Sequence, residues 1–71
     1  MKHYYISHMG KETKEKNLAL YMEIKNNGKY INGGWNGDYI VSVYEYNNKI
    51  WELWDNMELG IISEVVERGE N

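Results

Sequence analysis

Closely spaced acids are the first side chains in this sequence that could do chemistry. Glu52 and Asp55 are three residues apart, as are Glu64 and Glu67, and two neighbouring carboxylates can share general acid and general base roles. Such catalysis requires a pocket that excludes water and shifts the pKa of one group. On a small domain, acids with this spacing are more often surface charges that keep the protein soluble. We therefore expect no catalytic residue and no enzyme activity.

Two other patterns suggest ligand binding, and both are weak. His3 and His8 would lie on opposite faces of a first strand, which is a poor arrangement for one metal ion. The glycine-rich segment 33–37 lacks the Gly-Lys-Ser/Thr ending of a phosphate-binding loop, and Asp38 would repel a phosphate. The absence of cysteine excludes disulfides and thiolate metal sites. We expect no metal site and no cofactor.

The aromatic residues give the strongest functional signal. The chain has seven tyrosines and three tryptophans but no phenylalanine, and tyrosine and tryptophan are enriched at the hot spots of protein interfaces. Tyr44, Tyr46 and Trp54 could instead form cross-strand pairs that stabilise a small sheet, and Trp51 is expected in the core. The predicted partner-binding residues are Trp35, Asp38, Tyr44, Glu45, Tyr46, Glu52, Trp54 and Asp55.

Trp35 stands among three glycines, in the most flexible part of the chain. A tryptophan left in solvent forgoes roughly 2 kcal/mol of burial, so its side chain should be covered either by the core or by a partner. We favour the partner. Trp35→Ala is then expected to weaken partner binding by about 2 kcal/mol or more with little change in melting temperature.

The first half of the chain reads as strands and loops. A first strand is predicted over residues 3–8, followed by an exposed loop over 10–17. Leu18, Leu20, Met22 and Ile24 alternate with other residues, which predicts a half-buried strand over 18–25. Asn27-Gly28 would then form a type I′ turn into a returning strand.

The second half reads as a hairpin followed by a helix. A strand is predicted over 39–46, a turn at Asn47-Asn48, and a partner strand over 49–54, although residues 50, 53, 54, 57 and 61 also fit a helical stripe. A C-terminal helix would begin at Asp55 with Glu58 completing a capping box, and residues 69–71 would form a disordered tail. The fold class is α+β: a single domain over 1–71, with an antiparallel sheet of four to five strands and one C-terminal helix packed on it.

The charge is unevenly distributed along the chain. Residues 1–35 hold six lysines and three glutamates, a net charge of +3. Residues 36–71 hold two basic and eight acidic residues, a net charge of −6, and the two halves sum to the overall −3. An acidic surface on the second half would attract a basic partner and repel nucleic acid.

Together these features favour a small intracellular protein-binding module without enzyme activity. Its expected role is to inhibit or modulate a larger partner with a basic surface, itself a candidate nucleic-acid-binding protein, as phage-encoded anti-CRISPR and anti-restriction proteins do. No apolar run is long enough to cross a membrane, so we expect a cytoplasmic location in a bacterial or phage-infected cell. The alternatives are single-stranded nucleic-acid binding, which the acidic pI disfavours, and a self-assembling subunit. A homodimer is compatible with each.

Overall fold

An antiparallel sheet with one helix on one of its faces makes up the described residues, 1–70, of the computed structural model. The elements are β1 (Lys2–Tyr5), α1 (Lys11–Asn27), β2 (Lys29–Asn36), β3 (Tyr39–Tyr46), β4 (Lys49–Asn56) and β5 (Ile61–Glu70). The strand order is β1-β5-β4-β3-β2. Helix α1 therefore connects one edge of the sheet to the other, and strands β2 to β5 return step by step to β1. The predicted α+β class and antiparallel sheet are confirmed.

The helix forms where the sequence predicted a loop and a strand, so both of those predictions are wrong. Asn17, Tyr21 and Ile24 are buried, and their spacing of four and three residues makes one stripe along a helix. The alternating pattern over 18–25 was misleading, because Met22 is exposed. Residues 11–16 are exposed on every side, yet lysine and glutamate favour helix strongly enough for α1 to extend beyond the part that it buries.

Gly28 ends the helix instead of forming a hairpin turn, so the turn predicted at Asn27-Gly28 is also wrong. The Gly28 amide donates a hydrogen bond to the carbonyl oxygen of Ile24 at 2.7 Å. A Cβ atom at position 28 would lie 2.6 Å from that same oxygen. Glycine is therefore required for the chain to leave α1 and enter β2 directly.

The hairpin of β3 and β4 forms as predicted. Asn47 and Asn48 have φ angles of 52° and 59°, as a type I′ turn requires. In the paired strands Tyr44 lies opposite Trp51. The strand preferred for 49–54 is confirmed and continues to Asn56.

The C-terminal segment is strand β5, so the predicted C-terminal helix is wrong. As a strand, this segment carries apolar and charged side chains on both faces. Val65 and Val66 point to opposite faces, and both are buried. The pairing register between β4 and β5 shifts at two points along the strands. Residues 69 and 70 of the predicted tail belong to β5, and Asn71 lies outside the described residues.

The core lies between α1 and the sheet. Its buried cluster consists of Ile6, Tyr21, Ile24, Trp51, Leu53 and Val65, which confirms the expected core position of Trp51. Two polar contacts fix the helix against the strands. The Tyr21 hydroxyl lies 2.8 and 2.9 Å from the two carboxylate oxygens of Asp55, and Asn17 Nδ2 donates to the carbonyl oxygen of Tyr5 at 2.8 Å.

Candidate protein-interaction site

Three residues of the predicted partner-binding set lie on the sheet face that α1 covers. Tyr44 and Tyr46 pack against the core cluster, and Asp55 accepts the hydrogen bond of Tyr21. The Tyr46 hydroxyl donates to Glu23 at 2.8 Å, and this hydrogen bond raises the pKa of Tyr46. Helix α1 thus covers the sheet face that carries Tyr44 and Tyr46. Tyr44, Tyr46 and Asp55 hold the helix against the sheet.

Two further residues of that set lie on the opposite side of the sheet, which is called the open face here because α1 does not cover it. Glu52 is buried there although it is charged. Its carboxylate accepts hydrogen bonds from Trp54 Nε1 at 2.8 Å and from Arg68 Nε. Tyr39 contacts Trp54 edge to face, with ring centroids 5.4 Å apart. In the middle of the open face, the hydrogen-bonding groups of Glu52, Trp54 and Arg68 are therefore paired with one another, and the Trp54 ring packs against Tyr39.

The histidines lie in different environments. His3 Nδ1 lies 2.9 Å from Glu64 and its ring stacks on Tyr5. His8 lies in the turn after β1 with a φ of 65°. Within residues 1–70, no three histidine or acidic side chains converge in a way that could hold a metal ion.

Four of the ten large exposed apolar side chains of the described residues lie at one end of the sheet: Trp35, Met57, Leu59 and Ile61. Here the amide of Met57 donates to the carbonyl oxygen of Asp38 at 2.9 Å, which brings the β2–β3 turn beside the β4–β5 turn. The exposed fractions are 70% for Trp35, 64% for Leu59 and 51% for Met57. We call this surface the turn end; it consists of Trp35, Asp38, Met57, Glu58, Leu59 and Ile61.

The prediction from sequence found only part of the turn end. Trp35 and Asp38 were expected at a partner surface, and both are exposed. Met57, Leu59 and Ile61 fall within the segment that was predicted as a C-terminal helix, and so were missed. Gly60, with a φ of 68°, was the available signal for a turn at this point.

Strand β2 forms the second exposed feature. All eight of its residues are exposed, and in the described sheet it pairs on one side only, with β3. Ile31 has no partner in β3, because the register shifts between Tyr30 and Asn32. Glu45, the last residue of the predicted set, lies on β3 opposite Lys29.

The charge asymmetry of the sequence is only partly a division in space. Helix α1 carries four lysines but also three glutamates, whereas Asp38 and Glu58 are exposed at the turn end. A stacking surface for single-stranded nucleic acid needs lysine or arginine beside its aromatic groups. On the open face, Arg68 is paired with Glu52 beside Trp54, and the lysines of α1 lie on the opposite side of the sheet.

Comparisons with protein-family models, with curated proteins and with solved structures found no match for this chain. Within the described residues, no helix has the length and apolar character that crossing a membrane requires.

Proposed function

We propose that this chain is a protein-binding module without enzyme activity, which inhibits or modulates a larger partner through the turn end. The observation that carries the proposal is the exposure of Trp35, Met57 and Leu59 at a single end of the sheet. Burying them against a partner would contribute roughly 1.5–3 kcal/mol for each aliphatic side chain that is fully covered. A tryptophan at the centre of such a surface is a typical hot-spot residue.

The proposed partner has a basic surface. Asp38 and Glu58 are exposed beside the apolar side chains of the turn end. Rim charges of this kind accelerate the approach of an oppositely charged protein and help to set its orientation. Because exposed charges are screened by salt, raising the salt concentration should slow association more than it speeds dissociation.

The test is capture of the partner from lysate of the source cells, followed by an affinity measurement with the purified partner. Trp35→Ala and Leu59→Ala should each weaken binding by about 2 kcal/mol, or roughly thirtyfold in Kd. Met22→Ala is the matched control, because Met22 is an exposed apolar residue on α1. It should leave the Kd unchanged.

Three outcomes would contradict the proposal. The first is a captured protein that binds the Trp35→Ala and Leu59→Ala variants as tightly as the wild type. The second is a loss of captured material on nuclease treatment, which would favour nucleic-acid binding. The third is a large fall in melting temperature for Trp35→Ala, because that would assign the side chain a structural role.

A further inference from the structure

We propose that strand β2 pairs with β2 of a second copy, in antiparallel orientation, so that two sheets join into one continuous sheet. This inference concerns the edge of the sheet and is independent of a partner at the turn end. It begins from the unpaired backbone groups along the outer side of β2. Such groups form hydrogen bonds most completely with another extended strand.

Apart from the register shift at Ile31, strand β2 lacks the features that usually keep sheet edges apart. Edge strands are commonly short, or carry proline or several charges. β1, at the other edge, has only four residues. In contrast, β2 has eight residues, of which Lys29 is the only charged one. Tyr30 and Ile31 on this strand are also large, apolar and exposed.

The charges at the two ends of β2 favour a second copy in antiparallel orientation. Lys29 begins the strand, and Asp38 follows just after its last residue. Strand β2 ends at Asn36, so a two-fold axis near Gly33 brings Lys29 to the end of the partner strand. There it lies beside the turn that carries Asp38. Antiparallel pairing therefore brings opposite charges together at both ends, whereas parallel pairing would place like charges together.

The middle of β2 leaves room for this contact and provides a sharp test of it. A Cβ atom built on Gly34 meets nothing within 4 Å, and Gly34 lacks the positive φ that disfavours other residues. A lysine at this position should therefore fit the isolated chain. Across a two-fold axis that passes near position 34, two such lysines would repel each other.

The experiment measures molar mass by sedimentation equilibrium over a range of concentrations. The wild type should form a dimer whose population rises with concentration. Gly34→Lys should raise the dissociation constant of this dimer at least tenfold without lowering the melting temperature of the monomer. Ala19→Lys is the matched control, since it adds the same charge at an exposed position of α1. It should dimerise like the wild type.

A charge exchange tests the orientation of the two strands. Asp38→Lys should weaken the dimer, and the double variant Lys29→Glu/Asp38→Lys should restore it, because the pairing of opposite charges returns. A wild type that stays monomeric at all concentrations would overturn the inference. So would an unchanged dimer in Gly34→Lys, or a double variant no better than Asp38→Lys. Because Leu59 lies on the β4–β5 turn and not on β2, Leu59→Ala should weaken partner binding and leave dimerisation intact, so failure of one proposal is distinguishable from failure of the other.

Discussion

The contact between Tyr21 and Asp55 should contribute a large share of the stability of this small domain. The Tyr21 side chain is buried, and its hydroxyl lies within 2.9 Å of both carboxylate oxygens of Asp55. Hydrogen bonds to charged groups contribute about 1.5–3 kcal/mol. Tyr21→Phe removes the donor and leaves a partly buried carboxylate without it, so we expect a loss of about 2 kcal/mol. For a domain of this size, the melting temperature should fall by roughly 8–16 °C.

Thermal melts followed by circular dichroism, combined with a double-mutant cycle, would measure this contribution. Tyr21→Phe, Asp55→Asn and the double variant should give a coupling energy of about 1–2 kcal/mol. Additive effects of the two single substitutions would refute the reasoning, because they would show that the two side chains act independently. A melting temperature that is unchanged in Tyr21→Phe would refute it more directly.

The same contact predicts a dependence on alkaline pH. Burial, followed by the hydrogen bond and the negative charge of Asp55, raises the pKa of Tyr21 above its ordinary value of 10.0. A group whose pKa is higher in the folded state contributes stability that is complete below its ordinary pKa and is lost as the pH rises through the folded value. The wild type should therefore lose stability above about pH 10, and Tyr21→Phe should lose less over the same interval.

Two further predictions concern the helix end and the β4–β5 pair. Gly28→Ala should lower the free energy of unfolding by about 2 kcal/mol or more, because the alanine Cβ would collide with the Ile24 carbonyl oxygen. Gly34→Ala is the control: its Cβ would lie in open space, so the melting temperature should not change. The hydrogen bond from Lys49 is the main cause that lowers the pKa of Glu67. The stability that this carboxylate contributes is present above its ordinary pKa and is lost as the pH falls through the folded value. Lys49→Met should raise the pKa of Glu67 towards 4.5, as followed by NMR of the side-chain carboxyl.

The parts of the fold that were predicted correctly are those where local signals agree. Over 39–54, β-branched and aromatic residues surround Asn47-Asn48, and the turn requires the positive φ angles that asparagine tolerates. Strand and turn preferences therefore indicated one hairpin. The same agreement was expected around Asn27-Gly28, but there glycine serves equally well to end a helix, and only the packing of Tyr21 and Ile24 decides between the two structures.

The C-terminal segment could not be assigned from its own pattern. Val65 is buried in the core against α1 and Val66 is buried on the open face, so both faces of β5 carry buried side chains and its sequence has no clear alternation. Its charged residues are accommodated by partners distant in the sequence: Glu64 by His3, and Arg68 by Glu52. The candidate site was incomplete because β4 continues past its predicted end at residue 54 to Asn56, and the pairing of Asn56 with Tyr39 is what places Met57 beside Asp38.

The pairing of β1 with β5 has a consequence for the order in which the molecule folds. The contact of His3 with Glu64 joins residues 61 positions apart, so closing this edge of the sheet requires nearly the whole chain. Contacts over such distances in sequence form slowly, because the entropy of closing the loop is lost before the contact stabilises anything. The β2–β4 meander can form from local hairpins as it leaves the ribosome. Strand β1, although synthesised before the other strands, has no strand partner until β5 emerges, and so cannot join the sheet before β5 does.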